Sequence, residues 1–429
     1  MRTLSRRDFT RLIALSGPAT LLGRPGEAAA ESGSLPAILP PTPTHPDERF
    51  WADVRAQFLL PDDMAFLNAA NLCPTSRPVV ESLERWTRTL ESDPSPVTRG
   101  KLPDAREETR TLMADFLGVS AEEIVLTRNT SEGNNLVSSG LWLGPDDEVV
   151  VFEDNHPSAL RAWQVKAERF GFGVVVVPQV NPHPGRDYYI DAFTKALTTR
   201  TRVLAFSHVT NTAGDLLPAA DLCRVARERG VLTLVDGAQT FGVLAVRPAE
   251  LGADFYTGSV HKWLCGPKET GVLYVRREVQ DELMPSVVSL YAGRVGASRR
   301  LEGMGQRDEP ALAAVGDAVR FQAGIGRLEI EARARALAQA LMEALGGIDG
   351  ITLWTHPAPE RSAAVITLRP GTLDPQRLAA ALYENDGVVC AARGGADRPG
   401  IRLSPHLYNL AGEVDRTAAA IQRYLRTGV

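Results

Sequence analysis

The sequence predicts an α/β fold: a mostly parallel seven-stranded sheet with helices on both faces, plus a smaller C-terminal α+β domain. Three observations carry that expectation. Between residues 121 and 276, short β-rich runs alternate with helical patterns, the arrangement that builds parallel sheets. Within it, Val231-Leu232-Thr233-Leu234-Val235 reads as a buried strand. Beyond residue 310 the pattern changes to a long Ala/Arg/Glu-rich helical periodicity followed by short strands.

The strands of the large sheet are expected at residues 123–127, 148–152, 174–177, 202–207, 231–235, 255–258 and 272–275. Helical patterns fill 159–170 and 219–229, the second with Pro218 at its start and Gly230 just past its end. Residues 311–345 read as largely helical up to the stop Gly346-Gly347. A strand at 364–368, a helix at 376–383, strands at 388–391 and 401–404 and a last helix from about 414 complete the smaller unit. The expected division is therefore a large domain over 61–305 and a small one over 306–429, preceded by a linker and N-terminal segment over 31–60.

Residues 1–30 read as an export signal rather than fold. Ser5-Arg6-Arg7-Asp8-Phe9-Thr10 precedes a weakly apolar stretch over 12–22 and then Ala28-Ala29-Ala30, a small-residue cleavage site. Gly17 and Pro18 break the apolar stretch, which is too short to span a bilayer. Passage through the twin-arginine export machinery is expected, with a periplasmic or extracellular mature protein. The chain has 429 residues, 44% hydrophobic and 23% charged, enough for a large core. A net charge of -5 gives no reason to expect nucleic acid or an anionic membrane as partner. Cys73, Cys223, Cys265 and Cys390 form no CxxC pair, and the seven histidines show no metal-ligand spacing.

The chemistry concentrates on Asp236 and Lys262. Asp236 follows the buried run at 231–235, so it sits at the C-terminal end of a strand, where open α/β sheets bind ligands. Lys262 lies in Ser259-Val260-His261-Lys262-Trp263-Leu264-Cys265-Gly266-Pro267-Lys268. A lysine amine forms a Schiff base with an aldehyde cofactor, and a buried carboxylate keeps a pyridine nitrogen protonated. Pyridoxal 5'-phosphate (PLP) chemistry needs those two groups most. Alone, the lysine would be a surface charge and the aspartate a loop cap; together, with Gln239 three residues beyond Asp236, they are a signal. Thr130 and Ser131, in the turn Thr127-Arg128-Asn129-Thr130-Ser131-Glu132-Gly133 before a helical pattern, offer hydroxyls and amides to an anion.

From about residue 66 to the C-terminus the chain resembles the class V aminotransferases of the fold-type I PLP enzymes, which include cysteine desulfurases, kynureninase and isopenicillin N epimerase. His261-Lys262-Trp263-Leu264-Cys265-Gly266-Pro267-Lys268 is most similar to the epimerase branch. The resemblance implies a homodimer and a PLP phosphate held by Thr130, Ser131, the Glu132 amide, Ser259 and His261. It implies that His156 stacks on the ring, that Asn211 and Gln239 face the ring hydroxyl, and that Arg402 grips the substrate carboxylate. Two departures stand out. Gln306 replaces the family's threonine that reaches the neighbouring subunit's phosphate. The loop Arg393-Gly394-Gly395-Ala396-Asp397-Arg398-Pro399 lacks the mobile cysteine of a desulfurase, and Cys390 reads as core. Cys73 and Tyr291 are pocket candidates with a simpler structural reading. Epimerisation of an amino acid or amino-acid-containing peptide is the leading expectation, with C–S lyase or aminotransferase chemistry as alternatives. A catalytically silent ligand-binding protein ranks below these, because Lys262 and Asp236 are both retained.

Overall fold

A short strand, β1 (Ala65–Phe66), precedes the central sheet, whose strands are β2 (Ile124–Thr127), β3 (Glu148–Phe152), β4 (Gly173–Val177), β5 (Thr201–Ser207), β6 (Leu232–Asp236), β7 (Phe255–Ser259) and β8 (Gly271–Val275). This computed structural model describes residue 39, residues 41–394 and residues 397–429. The export-signal reading, on residues 1–30, lies outside them. The strand order is β2-β8-β7-β6-β5-β3-β4. β3 to β7 run parallel to one another, and β8 runs antiparallel to both β2 and β7.

Alternation along these strands builds two cores, because successive side chains leave a strand on opposite faces. Val150, Phe152, Leu204, Phe206, Val235 and Tyr256 bury on one face. Val149, Val151, Val203, Ala205, Leu234 and Phe255 bury on the other. The helices Thr130–Gly140 and Pro157–Phe170 cover the second face through Leu136, Val137 and Trp163. Leu102–Leu117, Arg186–Ala196, Ala219–Glu228 and Glu309–Ile325 cover the first. Covering both faces explains why the strands read as continuous apolar runs.

The remaining strands are β9 (Ile351–Leu353), β10 (Ile366–Pro370), β11 (Val388–Val389), β12 (Ala391–Arg393) and β13 (Gly400–Leu403). An antiparallel sheet β12-β13-β10-β9 packs on the helices Arg327–Gly346, Pro375–Asp386 and Ala411–Thr427 around a third core. Two local readings change. Residues 311–345 form two helices, broken at Gly326, whose φ of 106° is left-handed territory. The run 388–391 is split at Cys390: β11 pairs in parallel with β1, and β12 pairs with β13. Ala65 and Leu67 thereby complete the third core from the far end of the chain. Among the described residues, no helix is long and apolar enough to cross a membrane.

Candidate active site

Asp236 ends β6, between Ser207 of β5 and Thr257 of β7. Gly237 follows because the backbone must pass the Tyr256 ring; a Cβ there would lie 2.2 Å from it. The buried carboxylate accepts from the Ala238 amide at 3.0 Å and from Asn134 Nδ2 at 2.9 Å. Asn134 stands on the helix Thr130–Gly140, and Gly133 lets that helix approach β7: a Cβ there would fall 2.1 Å from Thr257 Oγ1. Sheet and helix together therefore hold the carboxylate.

Lys262 lies in the loop from β7 to β8. That loop is folded tightly by Lys262 N donating to Ser259 O, Cys265 N to Lys262 O and Gly266 N to Val260 O. Trp263 is fully buried beside the lysine and donates from Nε1 to Gln239 Oε1 at 2.8 Å. The Lys262 amine is bonded to nothing among the described residues. Burial pushes it down to about 8; Arg402 pushes the same way, and Asp236 partly opposes. Such an amine is about one-tenth neutral at pH 7, far more than an ordinary lysine, as a nucleophile or base needs. His156 is held below its ordinary range by burial and by Lys262, with Arg402 and Arg393 adding to it. Those dependences place His156, Lys262, Asp236 and Arg402 in one electrostatic neighbourhood.

The helix Thr130–Gly140 starts one residue beyond its cap, Asn129, whose Oδ1 takes the Glu132 amide at 2.9 Å. The Glu132 amide is therefore spent on the cap, and its carboxylate accepts from Arg128. Thr130 donates its amide to Ser259 Oγ at 3.0 Å, and the two hydroxyls meet at 2.8 Å. Of these three amides, that of Ser131 remains open among the described residues. Ser131 Oγ meets Ser158 Oγ at 3.0 Å, and Ser158 Oγ meets His156 Nδ1 at 2.7 Å. His156, the cap of Pro157–Phe170, is thus tied to the anion turn. Burial pushes His261 down to about 4, so its ring is neutral near pH 7, and its buried Nδ1 has no partner.

Arg402, on β13, is buried and donates to Asn211 O at 3.0 Å and to Asn68 Oδ1 at 3.5 Å; its Nε has no partner. Burial and the neighbouring Arg393 push this guanidinium down to about 10, which leaves it charged at neutral pH. Asn211 offers its carbonyl to Arg402, and its side chain makes no hydrogen bond among the described residues. Gln239 is committed at both ends: it accepts from Trp263 and donates to Ala70 O at 3.0 Å. Its main task here is to fix the loop beside Lys262. Gln306 is exposed and bonded to nothing among the described residues. Tyr291 is half-exposed, and Cys73 is buried against Ala69 O and Tyr408.

Sequence reasoning missed Asn134, Ser158, Asn68 and Arg393. One signal was available for the first: Asn134-Asn135 inside a helical pattern is a poor local choice unless a side chain is needed elsewhere. Asn68 and Arg393 come from segments distant in sequence, and no spacing announces them.

PLP fits these residues. The Lys262 amine is desolvated and uncommitted, Asp236 is fixed at a strand end, the Ser131 amide is open, and Arg402 keeps an unpartnered donor. Ligand-facing groups at the C-terminal edge of a mostly parallel sheet place the chain, by fold and site, with the PLP-dependent enzymes of fold type I. The chain belongs to the class-V aminotransferase family, whose sequence pattern matches residues 73–417. It is 33% identical over 391 residues to an isopenicillin N epimerase of Amycolatopsis lactamdurans, which covers 87% of this chain and 98% of the relative. It is 28% identical over 409 residues to a probable cysteine desulfurase of Methanothermobacter thermautotrophicus, covering 88% of this chain and 98% of the relative. Among solved structures, the cysteine desulfurase CsdA from Escherichia coli matches with a TM-score of 0.78 at 25% identity, covering 88% of this chain and 99% of that one.

Proposed function

We propose that this chain holds PLP on Lys262 and acts at Cα of an amino acid or amino-acid-containing peptide, with epimerisation as its reaction. The observation that carries the reading is the desolvated, uncommitted Lys262 amine within electrostatic reach of Asp236. Asp236 would hold the ring nitrogen protonated, Ser131 and Ser259 would hold the phosphate, and His156 would flank the ring. When bound, PLP supplies an electron sink for negative charge at Cα. Arg402 grips the substrate carboxylate and sets which Cα bond faces the lysine. Displaced from the cofactor by the substrate amine, Lys262 removes the Cα proton as a general base. A proton delivered to the opposite face by a second donor inverts the centre, while Lys262 keeps the one it removed.

The likeness to an isopenicillin N epimerase supports this choice over the desulfurase relatives. A persulfide-forming reaction would need a mobile thiolate. Cys390 is packed against the third core, and burial pushes its thiol up to about 12.

The reading includes a homodimer and export by the twin-arginine route. The exposed Met284, Val287, Val288, Leu290 and Tyr291 support a subunit contact, and Ser289 Oγ accepts from Gly305 N beside Gln306. Arg6-Arg7 and Ala28-Ala29-Ala30 support export. Size-exclusion chromatography with light scattering checks the first, and cell fractionation of an Arg6→Lys/Arg7→Lys precursor checks the second.

The test of the reaction is the visible spectrum of the mature protein with PLP supplied. The expected result is an absorbance band that is absent in Lys262→Ala, and inversion of an L- or D-substrate detected by chiral chromatography. No band in the wild type would overturn the PLP reading. A keto acid or pyruvate as sole product would replace epimerisation by transamination or elimination.

A further inference from the structure

Cys73, Cys265 and His406 converge at one point, and the proposed reaction gives none of them a task. One donor atom from each, two sulfurs and a ring nitrogen, lies within 4.8 Å of the other two. The three side chains are 1%, 1% and 0% exposed. They lie far apart in sequence, so no spacing rule reveals them. Each backbone is fixed: Cys73 N donates to His261 O at 3.0 Å, Cys265 N to Lys262 O at 2.9 Å and His406 N to Asn409 Oδ1 at 2.8 Å. Cys265 holds a φ of 56°, a conformation that suits glycine, and yet a sulfur-bearing side chain stands there.

The donors have lone pairs to spare. His406 Nε2 lies 2.6 Å from Trp263 O, so that nitrogen carries the ring proton, while Nδ1 is buried without a partner. Burial pushes the ring down to about 4, which leaves it neutral near pH 7 with one lone pair unspent. A histidine tied by one nitrogen to a backbone carbonyl is the usual form of a metal ligand. Trp263 O also takes Gln322 Nε2 at 2.5 Å, so Cys265 Sγ has only a long contact to it at 3.7 Å. Cys73 Sγ is as loosely engaged, with Ala69 O at 3.7 Å and Tyr408 Oη at 3.6 Å.

We propose that Cys73, Cys265 and His406 form a structural zinc site. Two thiolates and a neutral imidazole carry two negative charges, which Zn2+ cancels in this water-poor position and a monovalent cation such as Cu+ would not. Zinc–sulfur bonds of ~2.3 Å and zinc–nitrogen bonds of ~2.0 Å put tetrahedral donors about 3.5 Å apart, so shifts of about 1 Å close the set. Tyr408 Oη offers an oxygen to the fourth position. Burial and Cys73 push the Cys265 thiol up, with Lys268 opposing, so the ion displaces thiol protons as the chain folds. Once bound, it ties the segments of Cys73 and His406 to the loop that carries Lys262. The site does not depend on the reaction proposed above.

The test is the metal content of the PLP-loaded full chain, purified from zinc-supplemented cells and dialysed against EDTA. About one zinc per chain is expected, with sulfur and nitrogen neighbours in its X-ray absorption spectrum. Cys73→Ala and Cys265→Ala should each lower the zinc content at least tenfold, while Cys223→Ala and Cys390→Ala keep it. Lys262→Ala should keep it too, even if the wild type shows no visible band, which separates this site from the PLP reading. Zinc-free wild type with all four thiols reactive after denaturation would overturn the proposal. Two thiols fewer without metal would replace it by a Cys73–Cys265 disulfide. Zinc with no sulfur neighbour, or zinc that survives in Cys73→Ala and Cys265→Ala, would show an adventitious ion only. Copper in place of zinc would overturn the choice of cation.

Discussion

Arg110 and Arg402 are both buried arginines, and the protein treats them in opposite ways. Arg110, on the helix Leu102–Leu117, is fully buried. It donates to both oxygens of Glu302, to Glu107 through Nε at 2.9 Å and to Ile124 O at 2.9 Å. Glu302 in turn accepts from the Leu126 amide, so the pair pins the edge strand β2 to the helix behind it. Arg402 has two neutral acceptors and an idle Nε. A charge closed by its neighbours is framework; a charge left open in the same degree of burial is waiting for a ligand.

The largest test of that contrast is Arg110→Ala. It leaves the buried Glu302 with only the Leu126 amide and Arg307, 3.8 Å away, and is expected to lower stability by about 3 kcal/mol in a denaturant titration. Arg402→Ala should cost far less stability and should instead abolish binding of carboxylate ligands. Equal destabilisation by the two would break the comparison.

Lys262 sharpens it with the opposite sign. Its amine is pushed from an ordinary 10.5 to about 8, so between those values the unfolded chain binds more protons than the folded one. Stability of the PLP-free protein therefore rises with pH across that window, and below pH 8 the penalty is present in full. Lys262→Met should raise the melting temperature of the PLP-free protein at pH 7, by at most about 3 kcal/mol of stability. The gain should fade towards pH 10.5. A constant gain across that range would show packing rather than charge as its source.

The smallest effect belongs to Asn134→Ala. Loss of its bond to Asp236 should lower stability by about 1 kcal/mol and weaken PLP retention in dialysis. Unchanged retention would leave Asp236 held adequately by Ala238 alone.

The central sheet was legible in the sequence because its strands are covered on both faces and so carry long apolar runs bounded by turns. All seven stand within one or two residues of their expected ends. The short strands of the C-terminal unit were blurred. Residues 388–391 read as one strand until the partner changes at Cys390, where β11 ends and β12 begins. For the site, Asp236 was readable because it ends a predictable strand, and Lys262 because the loop that bears it follows one. The tasks of Gln239 and Arg393 were not, since they depend on Trp263, Ala70 and Asn211, brought near only by the fold. Local pattern reports burial well; it cannot report which distant carbonyl a side chain will meet.

The pairing of β1 with β11 sets a clock on synthesis. Ala65 and Phe66 leave the ribosome long before their partners, Val388 and Val389. Until those residues emerge, Ala65 and Phe66 lack their strand partner and Asn68 lacks Arg402, although Ala70 and Cys73 can already be held by Gln239 and His261. The large sheet can assemble on the nascent chain, but the pocket closes only after β11 and β13 have been made. A chain arrested before Val388 would carry Asp236 and Lys262 and still lack a finished site.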